Sequence, residues 1–251
     1  MELRNLIYSE LLKLKGSKMK LISIIAVLST PAMIFIEALQ SHYKYPERVV
    51  KLEAMYDNSL LYVMILTNMM IYVAITAYLF SREYTEKTLK NILPIPVSRN
   101  KFVLGKFLIL FLWIIELTLI TWIAMSVLAS LYHFLFGISE FYGYVFVSWL
   151  IKYLLSGVLM FLTITPFAYI AEKTKGIVAP VIAGSVIVMG SAALSNQDLG
   201  ALYPWTGAYF LIKGRIESTG FSPILTGIII AVLVVVGFIM TFNFFNKEDL
   251  E

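Results

Sequence analysis

The chain contains no cysteine, which excludes disulfide cross-links, thiolate metal sites and thiol nucleophiles. Charge is also scarce: Asp, Glu, Lys and Arg make up 14% of the 251 residues, where a soluble domain carries roughly a quarter. There are two histidines, His42 and His133, on different segments near the expected outer side, and no H-E-x-x-H helix. With so few ligands of the needed types, no metal site is expected. No G-x-x-x-x-G-K-[ST] run occurs either, because the pair Gly105-Lys106 has no glycine five residues before it. A loop that cradles phosphates is therefore missing. A cleavable leader is not expected: the first apolar run begins only after about twenty residues of mixed polarity, and no small-residue cleavage site follows it.

What is present is apolar surface. Hydrophobic residues make up 59% of the chain, too many to be covered by the available polar side chains, so the excess must face lipid. The net charge of +4 then reads as basic loops beside anionic lipid, with no nucleic-acid partner expected. A span needs about 20 mostly apolar residues to cross a hydrocarbon core roughly 30 Å thick. Six stretches qualify, at 21–39, 60–80, 107–136, 142–171, 177–194 and 223–245. The third and fourth exceed what a bilayer requires and should tilt or project. The expected fold is an all-α integral membrane protein, a single transmembrane domain over 1–251.

Lysine and arginine set the orientation. Arg4, Lys13, Lys15, Lys18 and Lys20 precede the first span, and Arg82, Lys87, Lys90, Arg99, Lys101 and Lys106 lie between the second and third. Lys173, Lys175 and Lys247 fall on the same side. They outnumber Lys44, Arg48, Lys51, Lys213 and Arg215 on the other, which predicts cytoplasmic termini. Tyr43, Tyr45, Tyr203 and Trp205 stand where an outer aromatic belt belongs. Before the first span, Leu3, Leu6, Ile7, Leu11 and Leu14 share one helical face. This predicts an amphipathic helix over 1–19 lying along the inner membrane surface, the alternative being a short helix packed on other loops.

The longest loop on that side, 81–106, starts as a continuation of the second span. It then meets Pro94 and Pro96, which push their preceding residues out of helical geometry, and restarts at Ser98, a residue suited to cap a helix. On physical grounds alone, a force-transmitting surface and a plain connector fit this pattern equally.

The sequence here resembles the membrane permease subunits of type-2 ABC exporters, of the kind that gives immunity to bacitracin or lantibiotics. The resemblance rests on Glu10-Leu11-Leu12-Lys13-Leu14-Lys15 and on the loop elements Arg82-Glu83-Tyr84, Thr88-Leu89-Lys90, Pro94-Ile95-Pro96-Val97-Ser98-Arg99 and Gly105-Lys106. Where the family often has a glycine before the loop threonine, this chain has Lys87. The resemblance implies that 83–101 holds the helix that docks into an ATPase subunit, with Glu83, Tyr84, Thr88, Leu89, Pro94, Pro96 and Arg99 as coupling residues. It implies that the Leu3 to Leu14 helix also contacts that subunit. Two permeases, as a homodimer, would assemble with two ATPases that bind the ATP and Mg and do the hydrolysis. The segment 196–222, rich in Leu199, Leu202, Tyr203, Trp205, Tyr209, Phe210 and Leu211, would form a short re-entrant element on the outer side.

Charges inside the spans are costly and so carry weight. Glu116 lies roughly 13 Å into the third span and Lys152 roughly 15 Å into the fourth, at about 1.5 Å per residue. Their matching depths suggest an interhelical pair, against the alternative that each snorkels or meets water separately. Glu37 is read as interfacial. Pro31, Pro166 and Pro180 should shape helices, and Ala179 with Ala183 gives a small-residue step for close contact. Two other classes stay open at this point: an intramembrane lipid-modifying enzyme, for which Glu116 with Lys152 is the candidate site, and an ion-coupled carrier working alone.

Overall fold

Proline, glycine and serine punctuation cuts a nearly continuous helical chain into eleven α-helices among the described residues. The computed structural model describes residues 3–47, 49–88 and 98–248, with the backbone alone for residues 3–6 and 15. α1 (Leu3–Lys15) ends at Gly16, and Ser17 caps α2 (Lys18–Val27) by accepting from the Met19 amide at 3.1 Å. α3 (Ser29–Lys44) follows after a break at Leu28, and Pro31, which has no amide to donate, lies buried in its first turn. α4 (Leu52–Leu61) and α5 (Thr67–Thr85) are joined by one wide turn, Tyr62–Leu66, in the π conformation. There the Thr67 hydroxyl donates to the Tyr62 carbonyl at 3.1 Å. Such single wide turns satisfy an extra residue without ending the helix.

α6 (Arg99–Phe136) is 38 residues long, starting eight residues before the apolar stretch that defines its span. α7 (Gly143–Thr163) and α8 (Thr165–Thr174) meet at Ile164, where Pro166 again occupies the first turn of the second helix. α9 (Val178–Leu194) carries Pro180 near its start. A short 3₁₀ turn, Asp198–Leu202, leads to α10 (Pro204–Lys213), a second 3₁₀ turn, Ile216–Thr219, and then α11 (Pro223–Lys247). The three prolines therefore each start or restart a helix, the position where a missing amide costs least. Among the described residues, extended pairing is limited to one isolated bridge between Lys51 and Ser139.

Among the described residues, five stretches are long and apolar enough to cross a membrane: Lys18–Lys44, Leu52–Thr85, Arg99–Phe136, Gly143–Thr174 and Pro223–Lys247. α9, at 17 residues, is the shorter apolar helix beside them, about 25 Å long at 1.5 Å per residue. Stripes of exposed large apolar residues run down α9 (Val178, Ile182, Val186, Met189) and α11 (Ile224, Ile228, Val232, Val235, Ile239). Exposure of that kind at helical spacing belongs against lipid or another apolar chain.

Because lipid tails are as apolar as leucine, helices in a membrane are held by close packing and by hydrogen bonds. Both are present. A Cβ at Gly237 of α11 would lie 2.5 Å from Thr165 Oγ1 and 2.8 Å from the Pro166 nitrogen of α8. One at Gly157 of α7 would lie 2.9 Å from Thr118 Oγ1 of α6. A ladder of buried polar groups ties α3, α5 and α6 together. The Thr30 hydroxyl meets that of Thr67 and donates to Asn68 Oδ1 at 3.3 Å, and Asn68 Nδ2 donates to Thr121 at 3.2 Å. Tyr72 and Thr118 share a bond of 2.9 Å. Tyr153 donates to Ser59 and Tyr56 meets Ser126, each at 2.6 Å. Each group left alone in such an interior would cost its desolvation, so the partners fix helix register.

Candidate functional site at the end holding Glu83 and Lys106

Part of α1 around Glu10, the ends of α5, α8 and α11 and the start of α6 gather at one end of the bundle. α5 stops there in an arrangement that uses two consecutive backbone bonds. The Lys87 amide donates to the Tyr84 carbonyl at 3.2 Å and the Thr88 amide to the Glu83 carbonyl at 3.0 Å. This stop needs a left-handed residue, usually glycine, and Lys87 takes it with φ of 55°. A turn usually made by glycine is thus made here by a lysine, at about 1–2 kcal/mol of backbone strain. α8 stops the same way at Lys175, with φ of 51°.

Within this end lies a buried ion network. Lys106 on α6 and Glu83 on α5 are 2% and 3% exposed; the ammonium donates to the Glu83 carboxylate and also, at 2.6 Å, to the Leu79 carbonyl. The Phe80 and Phe102 rings flank it at 5.5 and 5.2 Å. Glu172 on α8 is buried beside them, interacts electrostatically with Lys106, Glu83 and Glu248, and its Oε2 has no hydrogen-bond partner. One ammonium thus pairs with Glu83 while a second buried acidic side chain, Glu172, lies in its field. Around this centre, Lys175 pairs with Glu248 at 2.8 Å and stands 5.5 Å over the Tyr84 ring. Arg82 donates to Glu86 at 3.3 Å and lies in the field of the buried Glu10 of α1.

Arg99 opens α6 and grips the end of α11. Its guanidinium donates to the carbonyls of Phe245, Asn246 and Glu248 at 3.3, 2.8 and 2.7 Å. A cation against terminal carbonyls complements the helix dipole. Phe102 stacks on Phe245 alongside. Ser98 stands at the cap position of α6, but its side chain makes no capping bond. The sequence-predicted coupling residues thus divide. Glu83, Tyr84, Thr88 and Arg99 lie at this end, while Leu89, Pro94 and Pro96 fall outside the described residues. On α1, Leu14 is buried and Ile7 half-buried, Leu11 is 45% exposed, and the side chains of Leu3 and Leu6 fall outside the described residues.

The sequence that builds this end matches a known group of proteins. The model of the family described as ABC-2 family transporter protein matches residues 6–191. The chain is also 31% identical over 208 residues to a bacitracin transport permease protein of Bacillus licheniformis, covering 83% of this chain and 98% of that protein. This chain belongs to the ABC-2 transporter family. It is a multi-pass membrane subunit of an ABC transporter, a class of permease that works with an ATPase subunit.

Two placements in the permease depart from the expected interhelical pair. Glu116 reaches Lys20 on α2, with Nζ and Oε1 3.0 Å apart, and not Lys152. The register explains why. Gly157 of α7 sits against Thr118 of α6, and from that level Glu116 steps toward the terminal end while Lys152 steps away from it. The two are offset by about seven residues, roughly 10 Å at 1.5 Å per residue. Lys152 instead covers the Trp149 ring at 4.0 Å. It lines a depression of about 430 Å³ at the opposite end with Asp57, Glu140 and Lys213. There Lys213 pairs with Asp57, and Lys51 donates to Glu140 at 2.7 Å, a bond that raises the Lys51 pKa above its ordinary value.

The sequence shows Lys106 in a motif and Lys20 among the orienting basic residues without revealing the partner of either, and Glu172 does not stand out in it. Their signal is position alone: each is an ionisable residue within a few residues of a span end, where a neighbouring helix must answer it.

Proposed function

We propose that the permease is the exporting half of an ATP-driven machine, moving a hydrophobic or amphipathic substrate, with a peptide antibiotic as the foremost candidate, out of the cell. Two copies of this chain form a homodimer with two ATPase subunits, which bind and hydrolyse the ATP with Mg. Both termini face the cytoplasm of a cell-membrane protein with six spans, α9 being the short one, and α1 lies in the inner interface. The segment 196–222, whose α10 buries Thr206 to Phe210, serves as the re-entrant element on the outer side.

The buried Glu83–Lys106 pair carries this reading. It joins the two helices that flank the loop between them, and the same site holds Glu172 of α8 and, through Arg99, the end of α11. A push on that loop by a partner therefore reaches four helices through ionic and hydrogen-bonded contacts, which is what coupling to a motor requires. The bacitracin transport named for the relative supports the substrate class.

Co-purification tests the assembly. A tagged permease expressed with the ATPase encoded beside it should bring that ATPase down, and washed vesicles should export a labelled peptide antibiotic only with both chains present. Arg99→Gln should lower ATP-dependent export while the permease stays folded in the membrane. Export by the permease without an ATPase sinks the proposal, as does undiminished ATPase assembly and export in Arg99→Gln.

A further inference from the structure

In the crook where α1 turns into α2, a cavity of about 430 Å³ opens against α6. Leu14 and Trp113 form its buried floor, and Leu11 and Leu112, 45% and 54% exposed, stand at its rim. Lys20 and Glu116 close its polar end, their side chains 45% and 44% exposed. Neither the coupling network nor the export reading uses this place. It lies at the start of the first span, on a side where the neighbouring helix surfaces are apolar: Leu21, Ile22 and Ile25 of α2 are 62%, 55% and 61% exposed.

An ion pair open to hydrocarbon calls for further polar contacts, because charges there are costly unless solvated. The pair itself leaves capacity: an ammonium has three donors and a carboxylate about four acceptor sites, and the observed contact uses one of each. A ligand that answers both must bring an anion and a hydrogen-bonding cation a few atoms apart, with an apolar tail to lie over the leucine rim. We propose that the cavity holds the headgroup of a lipid of the phosphatidylethanolamine class, drawn from the leaflet at this end. Its phosphate accepts from Lys20, its ammonium donates to Glu116, and an acyl chain runs past Leu112 above Trp113. A phosphatidylglycerol headgroup brings no cation and sets a phosphate against Glu116. A choline headgroup brings a cation with no N–H to donate.

Native mass spectrometry of the delipidated full chain, given dioleoyl lipids of the three headgroups separately, tests this. Ethanolamine lipid should be retained at least about fivefold over the glycerol and choline forms, a ratio within reach of one charge-assisted contact. Lys20→Gln and Glu116→Gln should each remove that preference, and Leu112→Trp should displace the lipid with the ion pair left intact. Equal retention of the three headgroups overturns the proposal. So does undiminished ethanolamine retention in the Gln variants, whether or not their melting temperatures fall, since the pair would then be purely structural.

Discussion

Replacing Lys106 with methionine tests the ion network most directly. The substitution keeps the length and packing of the side chain between Phe80 and Phe102 while removing the ammonium. Glu83, 3% exposed, then keeps a buried carboxylate without its cation, and the Leu79 carbonyl loses a donor at 2.6 Å. Glu172 loses its nearby positive charge as well. Breaking a buried pair from one side costs about 3–5 kcal/mol, because the charge left behind is uncompensated. The double variant Glu83→Gln with Lys106→Met leaves no such charge on α5 and should recover about half of that loss or more. The coupling energy between the two positions should then exceed about 1.5 kcal/mol. Reversible unfolding in mixed micelles, followed by tryptophan fluorescence across increasing SDS, measures all four corners of the cycle. The same reasoning fixes an opposite sign for Glu172→Gln. It removes the carboxylate that lacks a full set of partners and should leave stability unchanged or raise it by up to about 2 kcal/mol. Lys106→Met and Glu83→Gln each within about 0.5 kcal/mol of the parent would refute the reasoning, as would a double variant as unstable as the sum of those two singles.

Arg99→Ala should loosen the end of α11 without unfolding the bundle, since three carbonyl contacts vanish; hydrogen exchange at 241–248 should quicken while α5 and α6 keep their protection. Gly237→Ala should destabilise by about 1–3 kcal/mol through overpacking against Thr165 and Pro166. Gly227→Ala on the same helix, with open space around it, should be neutral or stabilising by up to about 1 kcal/mol, and detergent melting curves compare the two. Lys87→Gly should raise the melting temperature by relieving about 1 kcal/mol of left-handed strain, and a lowered one would mean that the lysine side chain contributes more than the turn costs.

The helical, membrane-embedded character of the chain was legible because it rests on composition and on long apolar runs, which no tertiary contact can reverse. That Pro31, Pro166 and Pro180 shape helices was legible too, because each acts through a missing amide that is local to it, although the breaks at Leu28 and Ile164 lie inside stretches read as continuous spans. Partner choice was not. Glu116 and Lys152 matched in counted depth, yet depth was counted from span ends assigned by hydropathy, and α6 starts well before its apolar stretch while α7 bends into α8 at Ile164. Register is set by where small residues allow contact, here Gly157 on Thr118, and that fact is invisible until the helices are packed. The departure at Lys87 illustrates the converse. The glycine that the resemblance leads one to expect is absent, yet the two backbone bonds from Lys87 and Thr88 hold the left-handed residue in place without one.

The polar content of the interior is divided by kind as well as by place. The ladder from Thr30 through Asn68 and Tyr72 to Thr118 consists of neutral groups, each bonded across helices, whereas the end with Glu83 and Lys106 uses full charges. Neutral bonds inside membrane bundles are worth about 0.6 kcal/mol on average, so the ladder sets register yet yields at less cost than the charged end. The charged end is the reverse: separating Lys106 from Glu83 exposes two buried charges at once and is steeply resisted. A force applied at the loop between α5 and α6 would therefore move those helix ends as a unit and be taken up farther along, where the wide turn at Tyr62–Leu66 interrupts the regular bonding of the α4–α5 rod. Asn68, two residues past that turn, is the group whose bonds must then exchange. Asn68→Leu should change the movement of substrate more than it changes the stability of the charged end.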